Sequence, residues 1–251
     1  LLCLASETAR GYASDQKEGS AIRAIRGERL RDYRSSIPKG ARERVTATFV
    51  SGPQKYKAEC VFRRKIVGMR YYHETGEPSL EVPLKNGIMH GILYSWYTSG
   101  KLTSAAPYRN GREHGTARQW SDGGELIGTY TMKHGTGIDL WWQDYPNRTP
   151  HLAEIRYMSD GMRHGFEWWL NQRGRSVHEE CHFHSDKKHG VERSWNSRGR
   201  LRRGYPKYWV RDERLTKSRY IRECAKDPSL PPFRERENRP QRRFPLEIGA
   251  H

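Results

Sequence analysis

The chain has 251 residues, 34% of them hydrophobic and 30% charged, with a formal net charge of +17. That length holds one large or two small domains, but so little apolar material excludes a thick core, and no run of ~18 apolar residues is present to span a bilayer as a helix. Residues 51–201 contain 22 basic and 16 acidic side chains, a net of +6, and the remainder 24 and 13, a net of +11, so most of the charge lies in the flanks. A basic balance suits contact with nucleic acid or anionic lipid and equally serves solubility.

Residues 1–50 show little periodicity. The opening Leu1-Leu2-Cys3-Leu4-Ala5 is too short for the apolar core of a secretion signal, so the expected compartment is the cytoplasm, with a truncated signal at residues 1–5 as the alternative. Farther on, Ile22, Ile25 and Leu30 share one side of a short helical pattern that Gly27 interrupts, and a partly disordered basic arm is the expectation. The four cysteines, Cys3, Cys60, Cys181 and Cys224, form no C-x-x-C, which argues against a zinc ribbon or redox motif.

From about residue 57 to 205 the sequence repeats. Gly91, Gly115, Gly165 and Gly190 each follow a histidine (His90, His114, His164, His189), and Gly68 and Gly137 hold equivalent places without one. Their spacings are 23, 24, 22, 28 and 25 residues. Trp96, Trp120, Trp142 and Trp195 stand five residues after the anchor glycine, with Trp169 and Tyr72 one place early. Gly100, Gly124, Gly174 and Gly199 stand nine after it, and Gly76 eight. Leu84, Tyr108, Tyr130, Met158 and Phe183 recur six residues before the histidine position.

A period near 24 residues with two turns per unit predicts a hairpin array, about six repeats joined into an elongated antiparallel β-meander. Asn86-Gly87 and Asn110-Gly111 are the dipeptides most favoured in two-residue hairpin turns, because both central positions need positive φ. Equivalent residues then recur about 10 Å apart, two strand spacings of ~4.8 Å, and the tryptophans line up as a stripe. The Leu, Tyr, Met or Phe of the intervening strand is expected to fill the gaps.

The signature N-G-x-x-H-G-x4-W-x3-G-x-L is complete at Asn86–Leu102 and Asn110–Leu126 and degrades at Met132–Trp142 and Ser185–Leu201. It resembles the MORN repeat, and more closely the variant in bacterial proteins of the YwqK-type family, some of which are described as antitoxins. The resemblance implies a binding or scaffolding surface with protein or lipid partners and no shared catalytic residues.

After the repeats, Tyr208-Trp209-Val210 reads as a strand, followed by a polar turn and Leu215. Thr216 is a candidate N-cap for a helix from Lys217 to about Lys226 with Tyr220, Ile221 and Cys224 on one side, stopped by Asp227-Pro228. Residues 206–230 are expected to cap the last strand edge, and 231–251, rich in Pro and Arg, to form a flexible tail.

The chemistry in this pattern is sparse. The repeated histidines sit too far apart to share an ion, which needs every ligand nitrogen at ~2.0–2.1 Å. They read as turn-flanking side chains bonded to nearby backbone. His178, Cys181, His182, His184 and His189 form a denser group in which metal binding is the minor reading. No nucleophile-elbow or P-loop pattern occurs, and Glu179 and Glu180 point to opposite faces of one strand, so neither an enzyme, a cofactor nor a small-molecule substrate is expected. The tryptophan stripe reads first as a buried seam. Tyr94, Tyr97, Trp141 and Trp168, with Arg118 and Arg156, are the candidates for binding a partner. A non-catalytic protein-binding or scaffolding module, antitoxin-like and with a toxin-like or scaffolded partner, is the first expectation. A basic adaptor that takes anionic membrane or nucleic acid through its tails is the second.

Overall fold

The computed structural model describes residues 33–145, 148–171 and 176–242. Its contacts divide the chain into Leu1–Arg34 and Ser35–His251, the second of which carries the sheet. Residues 1–5, the Ile22 and Ile25 segment, Gly174 and residues 243–251 lie outside the described residues.

The fold is mainly β, an 18-stranded antiparallel sheet in which consecutive strands pair in sequence order. It starts with β1 (Arg42–Thr48), β2 (Lys55–Phe62), β3 (Lys65–Tyr72) and β4 (Pro78–Lys85). The middle repeats supply β5 (Ile88–Met89), β6 (Gly91–Trp96), β7 (Leu102–Arg109), β8 (Arg112–Glu113), β9 (Gly115–Trp120), β10 (Leu126–Lys133) and β11 (Thr136–Gln143). Then come β12 (His151–Ser159), β13 (Met162–Leu170), β14 (Val177–His184), β15 (Lys187–Lys188), β16 (Gly190–Ser194), β17 (Lys207–Val210) and β18 (Glu213–Leu215). The two-residue strands β5, β8 and β15 each continue past a single histidine into the next strand. No described helix is long and apolar enough to cross a membrane.

Two kinds of turn alternate along the meander. On one edge, Arg63-Arg64, Asn86-Gly87, Asn110-Gly111, His134-Gly135, Asp160-Gly161, Ser185-Asp186 and Arg211-Asp212 all have φ between +48 and +82, the type I′ geometry that matches strand twist. Arg211-Asp212 is the polar turn before Leu215, so the repeat runs one unit past its expected end. These turns bond to one another: Gly111 N–H donates to the Met89 carbonyl at 2.8 Å, Gly135 to Glu113 at 2.7 Å, Gly161 to Gly135 at 2.9 Å and Asp212 to Lys188 at 2.9 Å. On the other edge, Gly76, Gly100, Gly124 and Gly199 close longer loops, also at positive φ.

Alternation along each strand and the cross-strand register separate two faces. Trp96, Trp120, Trp142 and Trp195 fall on one face, opposite Leu102, Leu126, Leu152 and Leu201. Their burial ranges from 1% exposure at Trp195 to half-buried at Trp96 and Trp142. In the fifth repeat Leu170, opposite Val177, takes this place, whereas Trp169 pairs with Glu154 and Glu179 on the other face. The gap filling expected of the intervening strand is not what forms. Tyr108, Met158 and Phe183 lie on the second face, directly across from Gly91, Gly137 and Gly165.

The main core gathers Leu140, Ile155, Trp168, Leu170, Val177 and Trp195. Gly128 packs against the Trp142 indole so closely that a Cβ there would come within 2.3 Å of its ring carbons. Gly128→Ala is therefore expected to destabilise by about 1–3 kcal/mol. A urea titration should show a lower midpoint at unchanged slope, and an unchanged midpoint would contradict this packing.

Both ends of the tryptophan face are covered by chain that the sequence assigns to arm and tail. Strand β1 lies inside the expected arm, and Ser35 Oγ donates to Glu81 at 2.6 Å while Ile92 N–H donates to Ser36 Oγ at 3.0 Å. Helix α1 (Lys217–Cys224) begins where Thr216 Oγ1 accepts from Arg219 N–H at 3.3 Å. Through Tyr220 it packs on Val191, Tyr208 and Leu215, covering the face of the last strands, with Ile221 49% exposed on its outer side. Residues 231–242 continue across the sheet, where Trp195 Nε1 donates to the Asn238 carbonyl at 2.7 Å and Val177 N–H to Pro240 at 3.0 Å.

Candidate functional site

The second face carries a continuous row of interior charge. Across strands β10 to β14 the register aligns Tyr130, Asp139, Arg156, Glu167 and Cys181 in one row. Arg156 is its centre: Nη2 lies 2.6 Å from Glu154, Nε 3.3 Å from Glu167, and Nη1 3.4 Å from Asp139. Arg163 adds contacts to Glu167 at 3.3 Å and Asp186 at 3.2 Å.

Glu154 and Glu167 face each other across β12 and β13 within hydrogen-bonding reach. Burial, then the Glu154 partner, pushes the Glu167 carboxyl up to about 7, while Arg156 draws Glu154 below its ordinary value against the pull of burial. At the row's other end Glu113 projects from β8 toward Tyr108, Tyr130 and Asp139. Burial and then the Asp139 charge raise it to about 7, and its Oε1 is buried without a hydrogen-bond partner.

Sequence reading missed this network because no two of its acids are close along the chain. One signal was present: the second residue after the anchor glycine is acidic in three successive repeats, Asp139, Glu167 and Glu192.

Above the row, Trp141, Glu154, Trp169, Glu179 and Ser194 form a second one. Trp141 is 41% exposed. Beside Trp169 a groove of about 840 Å³ opens toward the glycine-loop edge, lined by Tyr145, His151, His178, Glu179 and Asn196 among others.

The other partner-binding candidates are placed differently. Tyr94 and Trp168 are 1% and 6% exposed, and the Trp168 Nε1 donates to Glu180 at 2.8 Å, so neither is offered to a partner. Arg156 is engaged by three carboxylates. Tyr97 is half-buried and donates to the Trp120 carbonyl at 2.9 Å. Arg118 is exposed on the tryptophan face.

The repeated histidines tie neighbouring turns together. The Nδ1 atoms of His90, His114 and His189 accept backbone N–H groups of the next turn, from Asn110 at 3.5 Å, His134 at 3.2 Å and Arg211 at 3.3 Å. His164 instead stands 4.6 Å, ring to ring, from His184. Among the described residues no three His, Cys, Asp or Glu side chains converge as metal ligands. Within the dense histidine group, His182 donates from Nδ1 to the His189 carbonyl at 2.5 Å, and burial lowers its pKa to about 4.

One arrangement looks catalytic at first sight. His189 Nε2 lies 3.0 Å from Ser229 Oγ, which in turn donates to Asp227 at 2.5 Å. Because Nδ1 already accepts the Arg211 N–H, the neutral ring carries its proton on Nε2. It therefore donates to Ser229 and cannot take the serine proton as a base would. With 0% of its side chain exposed, His189 fastens the segment after α1 to the array. The Cys181 thiol, pushed up to about 12 chiefly by burial, is no nucleophile at neutral pH.

No family model matches the chain, and no curated protein matches it.

Proposed function

We propose that the chain is a non-catalytic module that binds a protein partner on its second face, with Trp141 as the anchor. The observation that carries this reading is a large indole left 41% exposed in the same cross-strand row as Trp169, which lines an open groove. Aromatic residues held rigidly lose little conformational freedom on binding and dominate interface energetics. The Ser229–His189 tautomer and the buried Cys181 support the non-catalytic part. A toxin-like or scaffolded protein is the partner that the MORN-like pattern implies.

Affinity capture from the native host at ~0.5 M salt, where surface electrostatics are largely screened, tests the reading. The captured partner should persist, and Trp141→Ala should weaken its binding by about 2 kcal/mol, roughly 30-fold, with the circular dichroism spectrum unchanged. Equal affinity for the variant removes Trp141 from the interface. A second reading rests on the +11 net charge outside residues 51–201: an adaptor that takes an anionic membrane or nucleic acid through its flanks, in which case ~0.5 M salt releases everything bound.

A further inference from the structure

The two edges of the sheet differ in charge over strands β2 to β11. The type I′ edge displays Arg63, Arg64, Lys65, Lys85, Arg109, Arg112 and Lys133, all exposed, and of these only Arg112 has an ion-pair partner among the described residues, Asp160. The glycine-loop edge displays Glu74, Glu77, Asp122, Glu125 and Asp144, with Lys101 and Arg148 as cations among them. The basic set recurs in every repeat at about 10 Å, two strand spacings of ~4.8 Å, whereas the acidic set skips the repeat that carries Lys101.

Both rows are also held in place. Turn-to-turn backbone bonds fix the basic edge. On the acidic edge Ser99 Oγ donates to the Asp122 carboxylate, Asp122 N–H donates to Asp144 at 2.7 Å, and Ser51 Oγ donates to Glu74 at 3.0 Å. The two edges thus carry charge of opposite sign and are complementary to one another.

We propose that the basic turn edge of one copy of this chain docks on the acidic loop edge of a second copy. A single chain cannot satisfy the match, because its two edges lie at opposite ends of the same strands. The contact is heterologous, so each pair leaves one free edge of either sign and growth continues. The chain-wide charge of +17 opposes self-contact, but the repeat region holds only +6 of it, and at 0.15 M salt repulsion from the flanks is screened beyond ~8 Å. Turn tips bury little area, so association is weak and governed by charge.

Two triple variants of the full chain test this by sedimentation at ~0.1 M salt over ~10–300 µM, the range suited to a small interface. Lys85→Glu with Arg109→Glu and Lys133→Glu sets three acids against the unpaired Arg63, Arg64 and Lys65 and removes the net positive charge of the turn edge; Glu74→Lys with Glu77→Lys and Glu125→Lys makes the loop edge basic. All six positions lie on turns or strand ends outside the core, and an unchanged circular dichroism spectrum confirms the fold. The unaltered chain should increase in weight-average mass by about 1.5-fold or more with concentration, each variant should remain monomeric, and an equimolar mixture of the variants should associate again, through the basic turn edge of one and the acidic loop edge of the other. A strictly monomeric unaltered chain, variants that still self-associate, or a mixture no heavier than its components overturns the proposal. Partner binding through Trp141 is read separately and is untouched by any of these outcomes.

Discussion

Arg193→Ala is expected to destabilise the protein by about 3–5 kcal/mol, the usual cost of leaving one half of a buried ion pair without its partner. Arg193 and Glu180 are each 1% exposed, with Nη1 2.6 Å from the Glu180 carboxylate. The same guanidinium reaches Asn238 Oδ1 at 3.2 Å and Glu237 at 3.4 Å, so it fastens the C-terminal segment as well as the sheet. Arg242 contacts Glu180 at 2.7 Å and softens the loss without removing it. Denaturant unfolding gives the magnitude, and limited proteolysis gives the place, since cleavage should appear first beyond Asp227. A loss below about 1 kcal/mol would mean that Arg242 alone neutralises Glu180.

The protein is also expected to be more stable at pH 5.5 than at pH 7.5, contrary to the usual behaviour of paired carboxylates. Glu113 and Glu167 titrate near 7 in the fold, above the ordinary value of 4.5. A raised carboxyl pKa means that the folded state holds its proton more tightly. The stability so contributed is full below about pH 4.5 and is lost as pH rises through 7. Between pH 7.5 and 5.5 each group adds about 2 kcal/mol. His182, lowered to about 4, works the other way. Its contribution is present above about 6.5 and falls away on acidification, removing about 1 kcal/mol over the same interval. The two carboxyls outweigh His182 by about 2–3 kcal/mol, roughly 4–12 °C in Tm for a domain of this size, and His178 and His189, which burial lowers, take back part of that gain.

Glu113→Gln separates these contributions. Tyr130 and Asp139 face this carboxyl from β10 and β11, and Tyr108 from β7, so a neutral amide relieves the repulsion from Asp139 without emptying the site. The variant should melt higher at pH 7.5 and lose about 2 kcal/mol of the difference between the two pH values, most of the whole. A lower Tm at pH 7.5, or an unaltered pH dependence, would show that Glu113 is ionised and well solvated in the fold.

The hairpin array was readable because its causes are local. Asn86-Gly87 and Asn110-Gly111 select their turn type within two residues, and a constant residue count brings Trp96, Trp120, Trp142 and Trp195 onto one face. The Thr216 cap is local in the same sense and the structure has it, while the helix ends at Cys224 with Ala225 as its C-cap, ahead of Asp227-Pro228. Where counting failed, a bulge or a change of face intervened. Trp169 is adjacent in sequence to the stripe position, yet a single residue of offset turns it to the opposite side, where it borders the candidate groove.

Amino-acid order alone therefore determined the meander, its alternating turns and the face that carries most of the indoles, because each follows from dihedral preference and a period of two. Tertiary structure alone decided which aromatic residues remain outside: Tyr94 and Trp168 are enclosed while Trp141 is not. It also brought Glu113, Asp139, Arg156 and Glu167 into one row from four different strands and folded the 231–242 segment over Glu180 and Arg193. Burial and proton affinity depend on what neighbouring strands place within a few ångströms, a quantity that no local spacing encodes.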